Sequence, residues 1–128
     1  MGKPEDELFK HVKARLDYFK LHKIVLHYDD LRRLNLIRTR RGFFSHKPKG
    51  TPDIAVYIKH HTTGYIYFIE LKTPNDKHRP EQLEYMLKFR DLTNVWYDVI
   101  RTADEVNRRI EMITGYSQSI FDSMPKEL

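Results

Sequence analysis

The sequence predicts an α/β fold with a mixed central sheet flanked by helices, and three observations lead there. An amphipathic helical repeat opens the chain. Two apolar, β-branched runs then follow one another across a short polar segment that contains glycine. A helical pattern separates the second of these runs from a third, and a crossover of that kind adds the next strand parallel to its predecessor.

Taken in order, the first element is a helix from Glu5 to Lys20, where Leu8, Phe9, Val12, Leu16 and Phe19 recur at three- and four-residue spacing. Lys23–Tyr28 (KIVLHY) is a short β-prone run. Residues 29–50 show no clear period, and Gly42, Pro48 and Gly50 predict loop in their second half. Asp53–Lys59 (DIAVYIK) and Tyr65–Lys72 (YIYFIELK) flank the polar segment HHTTG, which reads as a β-hairpin. Pro74 and Asn75 end the second strand. Pro80 suits the first position of a helix because its missing N–H costs nothing there, and Leu83, Met86, Leu87 and Phe89 are assigned to the buried side of that helix. Val95–Arg101 (VWYDVIR) is the third strong strand. Thr102-Ala-Asp-Glu105 has the form of a capping box, opening a last helix that runs to about Ile113 before Gly115. The order is α–β–loop–β–β–α–β–α within one domain, residues 1–128. Residues 114–128 make a polar tail, either loosely ordered or docked on a partner.

Composition narrows the chemistry. The chain has 128 residues, 40% of them apolar, which fits one core and not two. Cysteine is absent, so disulfides, thiolate catalysis and cysteine-ligated zinc are excluded. The longest apolar runs, Ile54–Ile58 and Tyr65–Ile69, span five residues each, too few for a membrane helix. The N-terminal MGKPEDELFK is charged and predicts no secretory signal. A soluble, intracellular domain is expected.

The net charge of +5 is unevenly placed. Residues 31–50 hold Arg32, Arg33, Arg38, Arg40, Arg41, Lys47 and Lys49 and no acid, and removing that +7 leaves the other 108 residues at −2. A cationic segment on a nearly neutral body suits a polyanion such as nucleic acid, because each neutralised phosphate releases condensed counterions. The plainer alternative is a solvated loop. Tyr65, Tyr67, Trp96 and Tyr97 are read as core and sheet face, not as platforms for stacked bases.

The chemistry centres on Glu70-Leu71-Lys72. Alternation along a strand sends Glu70 and Lys72 to one side and Leu71 to the other. A carboxylate and an ammonium at the end of a buried strand are costly to desolvate unless paired or coordinated. Gly50-Thr51-Pro52 leads into Asp53 at the start of the preceding strand, so a hairpin brings Asp53, Glu70 and Lys72 to one edge of the sheet. Two carboxylates there form an oxygen site for a hard cation such as Mg²⁺, with Mn²⁺ able to substitute, and the Leu71 backbone carbonyl supplies a third oxygen. The lysine beside it can activate water and stabilise charge on a phosphate. The plain alternative is a surface salt bridge between Glu70 and Lys72.

Gly50-Thr51-Pro52-Asp53, then Glu70-Leu71-Lys72, then Gln82 in Pro80-Glu81-Gln82-Leu83, resemble the PD-(D/E)XK nuclease superfamily. More narrowly the chain is similar to the small stand-alone VRR-Nuc domains of phages and bacteria, up to about residue 113, including the passage Val99–Val106. The resemblance implies a restriction-endonuclease-like core and a Mg²⁺-dependent DNA endonuclease. Asp53 and Glu70 would be metal ligands, Lys72 the catalytic lysine, and Gln82 a hydrogen-bonding group near water or the scissile phosphate. The family also uses a glutamate of the first helix. Glu5 and Glu7 compete for that role, and Glu5 is chosen because it lies three, seven and eleven residues before Leu8, Val12 and Leu16 on the packed side. The resemblance further implies 5′-phosphate and 3′-hydroxyl products and homodimers acting on branched DNA such as Holliday junctions. A restriction-like or flap nuclease and a non-catalytic nucleic-acid-binding module are the rival readings. The segment between the first helix and Gly50-Thr51-Pro52-Asp53 departs from the pattern in its length. Within it, Arg38, Arg40, Arg41, Lys47 and Lys49 are the expected contacts to DNA phosphates.

Overall fold

The computed structural model describes residues 4–32, 36–39, 42–45, 50–73 and 80–115. Its elements are α1 (Pro4–Leu21), β1 (Val25–Asp30), β2 (Leu36–Thr39), β3 (Gly42–Ser45), β4 (Ile54–His60), β5 (Thr63–Leu71), α2 (Pro80–Leu87), β6 (Val95–Ile100) and α3 (Ala103–Thr114). No helix among the described residues is long and apolar enough to cross a membrane.

Helix α1 forms where the sequence places it, with Glu5, Asp6 and Glu7 in a first turn that favours negative charge. Its end is a Schellman motif. The Ile24 N–H donates to the Phe19 carbonyl (3.0 Å) and the Lys23 N–H to the Lys20 carbonyl (3.0 Å). Lys23 holds the left-handed conformation (φ 63°) that glycine usually supplies. The turn delivers Ile24, fully buried, into β1.

Four strands form one mixed sheet in the order β1-β4-β5-β6. β1 pairs antiparallel with β4 and β4 with β5, while β6 adds parallel to β5 through the α2 crossover. A register shift between Val25 and His27 marks a bulge in β1, which leaves Leu26 exposed. Val12, Leu16 and Phe19 of α1 and Val106, Ile110 and Ile113 of α3 pack with Ile54, Val56, Ile58, Tyr67, Ile69, Leu71 and Ile100 into the main core. Tyr67 is wholly buried there, and its hydroxyl donates to Asp98 Oδ2 at 3.0 Å. Asp98 is in turn held by both Arg109 Nε and Nη2 at 2.7 Å. A buried phenol thus meets a carboxylate that is itself neutralised, which is how its burial is tolerated.

The opposite face carries α2. By strand alternation Phe68 and Tyr97 point away from the main core, and Tyr85 and Phe89 pack against them, with Phe68–Phe89 centroids at 5.1 Å and Tyr85–Phe89 at 5.3 Å.

Three expectations are corrected. The segment expected to be loop contains a hairpin in which Leu36 to Thr39 of β2 pair with Ser45 to Gly42 of β3. Two apolar pairs, Leu36-Ile37 and Phe43-Phe44, are too short to show a period against the surrounding arginines. Leu83 and Leu87 of α2 are about half exposed (51% and 48%). The buried side of that helix is set instead by Tyr85 and Phe89, because the sheet surface beneath is aromatic. The capping box forms only in part: Thr102 stands at the N-cap without a side-chain hydrogen bond, and the Glu105 carboxylate accepts from the Arg101 N–H at 3.0 Å. The start of the expected tail is ordered as well. Thr114 is the last residue of α3 and buried, and Gly115 closes the helix at φ 69°.

Candidate functional site

The antiparallel register ends at Ile54↔Ile69, and one step further it sets Asp53 beside Glu70. Asp53 is held at three points. Its N–H donates to the Ile69 carbonyl (2.9 Å), its carbonyl accepts from the Leu31 N–H (2.7 Å), and its Oδ2 accepts from the Leu71 N–H (2.8 Å). Glu70 Oε1 accepts from Gln82 Nε2 at 2.8 Å, so the first turn of α2 positions the strand carboxylate. Lys72 follows, its N–H donating to the Ile100 carbonyl at 3.0 Å. Beyond it, Arg101 Nη1 donates to the Thr73 carbonyl at 2.8 Å, which ties the chain leaving Lys72 to the end of β6. Asp53, Glu70 and Lys72 are only 8%, 6% and 6% exposed. Ionisable groups that deep persist only when paired, hydrogen-bonded or coordinated.

Two groups near these acids were not read from the sequence as part of a site. Tyr97 lies on β6 two residues before Val99, the residue paired with Glu70. Burial, and then the negative charges of Glu70 and Asp53, push its phenol well above the usual tyrosine range. Its hydroxyl is buried with no hydrogen-bond partner among the described residues. The parallel register that brings it here is a long-range property, and no local signal announces it. Arg32, counted among the cations of residues 31–50, is engaged within the protein. It binds Asp30 through Nε (3.0 Å) and Nη2 (3.0 Å), approaches Asp6 (3.5 Å), and lies 3.6 Å from the Phe9 ring centroid. The Asp30-x-Arg32 spacing is the signal that hinted at this pairing.

Glu5 is half-buried and Glu7 exposed. Among the described residues no three His, Cys, Asp or Glu side chains gather closely enough to hold a metal ion by themselves, so the donor set at this corner is the Asp53 and Glu70 carboxylates with backbone oxygen. That set fits Mg²⁺, which is commonly bound through one or two carboxylates while keeping several waters. The backbone of Arg38 lies in β2, whereas Arg40, Arg41, Lys47 and Lys49 lie outside the described residues.

Compared with protein-family models, curated proteins and solved structures, the chain matches none of them.

Proposed function

We propose that the protein is a metal-dependent DNA endonuclease of the PD-(D/E)XK kind, similar to small VRR-Nuc domains. The observation that supports this reading best is the convergence of Asp53, Glu70 and Lys72, all buried, where β4 begins and β5 ends. A divalent cation would be held by Asp53, Glu70 and the Leu71 carbonyl, with Glu5 contributing from α1. When bound, it supplies Lewis-acid stabilisation of phosphoryl charge and lowers the pKa of water. Lys72 orients the attacking water or takes its proton, and Gln82 keeps Glu70 in one rotamer through its hydrogen bond. Water attacks the phosphodiester, the P–O bond to the leaving strand breaks, and the products carry a 5′-phosphate and a 3′-hydroxyl. Arg38, Arg40, Arg41, Lys47 and Lys49 hold backbone phosphates, and a homodimer presents two sites to a branched substrate such as a Holliday junction.

The test is cleavage of labelled four-way junctions, flaps and linear duplexes in Mg²⁺ or Mn²⁺ against EDTA, with Lys72→Ala beside wild type. Metal-dependent cutting that Lys72→Ala loses is the expected result. No cutting of any substrate, or equal cutting by Lys72→Ala, overturns the mechanism.

A further inference from the structure

Arg32 sits at a meeting point of three elements. Its two hydrogen bonds to Asp30 fix it to the end of β1, and Asp6 and Phe9 attach it to the first two turns of α1. The preceding residue, Leu31, donates its N–H to the carbonyl of Asp53 at 2.7 Å. One side chain therefore links the turn that carries Glu5 to the backbone that carries Asp53. Its guanidinium is only 19% exposed, so it is poorly placed to meet a phosphate in solvent. The charges of Asp53 and Glu5 both act on it, after those of Asp30.

We propose that Arg32 is a positioning residue of the candidate site, pinning the first turn of α1, with Glu5, against the Asp53 corner of the sheet. This rests on the metal-site reading of Asp53 and Glu70 given above. A planar fork suits the task, because it bonds a carboxylate through two nitrogens while stacking on an aromatic ring. Lysine offers neither feature. The inference also removes Arg32 from the DNA-binding surface.

Binding of Mn²⁺ to the whole protein, measured by calorimetry, tests the idea without any turnover. Arg32→Met, Arg32→Lys, Glu5→Gln and the Arg32→Met/Glu5→Gln double variant are compared with wild type, with circular dichroism to confirm folding. Loss of a residue that orients metal ligands weakens affinity by roughly ten- to a hundredfold, and Arg32→Lys should not restore it. The double variant should bind no more weakly than Glu5→Gln alone, since Arg32 acts through Glu5. If wild type binds Mn²⁺ but Arg32→Met binds equally well, or the two losses multiply independently, the positioning role is overturned while the metal site stands. If folded wild type binds no Mn²⁺, the metal site and the role assigned to Arg32 fail together. Should Arg32→Met not fold, the same cycle is run with Arg32→Lys.

Discussion

The Leu71 N–H donates to the Asp53 carboxylate at 2.8 Å, so the acid that starts β4 also fastens the end of β5. One side chain serves the fold and the site together. Removing it as Asp53→Ala strands a buried amide donor and should cost about 1–3 kcal/mol of stability. Asp53→Asn keeps an oxygen acceptor and should fold with a smaller loss, while weakening Mn²⁺ affinity. Urea unfolding read beside calorimetry separates the two effects.

Lys23 occupies a left-handed position in the turn between α1 and β1. A side chain there is disfavoured by roughly 1–2 kcal/mol, part of which is offset by the greater chain entropy that glycine loses on folding. Lys23→Gly should therefore raise stability by about 0.5–1 kcal/mol, measured by denaturant titration. A destabilised variant would show that the lysine side chain makes a compensating contact.

Thr102 stands at the N-cap of α3 without a side-chain hydrogen bond. Thr102→Ala should cost less than about 0.5 kcal/mol, where a bonded cap contributes about 1. Glu105→Ala should cost more, since it removes the acceptor for the Arg101 N–H. Thermal melts of the two variants check the ranking.

Acid should erode the link between α1 and β1. Burial works against the Asp17 charge, but hydrogen bonds from Tyr28 and Lys13 outweigh it and hold the carboxyl below its ordinary 3.8. A carboxyl depressed in the folded state stabilises the protein above the unfolded pKa, and that contribution disappears as pH falls through the folded value. Wild type should be more stable than Asp17→Asn at neutral pH, with the gap closing below about pH 4. A gap that is constant with pH would contradict the assignment.

Replacing Arg38, Arg40, Arg41, Lys47 and Lys49 by glutamine should weaken DNA binding for every sequence alike. Each phosphate that is no longer neutralised should reduce the slope of log affinity against log salt by about 0.9 on duplex DNA. An unchanged slope in fluorescence anisotropy titrations would place the phosphate-binding cations elsewhere. Arg32, being internally paired, should leave the slope as it is.

Sequence by itself determined the elements whose apolar spacing is long and regular. Helix α1, the β4–β5 hairpin, the crossover and the parallel β6 follow from local periods of 3.6 and 2 and from chain geometry. The neighbourhood of Asp53, Glu70 and Lys72 was legible for the same reason: a hairpin register is arithmetic once its turn is known. Only the tertiary structure decided which side of α2 is buried, because Leu83 and Leu87 are as apolar as Tyr85 and Phe89, and the aromatic surface of Phe68 and Tyr97 made the choice. The roles of Arg32 and Tyr97 were likewise hidden. A charge or hydroxyl shows in sequence only its type, whereas its partners come from chain segments brought together by folding, such as Phe9 against Arg32 and Glu70 near Tyr97. The cationic segment that shapes the net charge of +5 accordingly divides into one arginine held within the protein and others assigned to DNA.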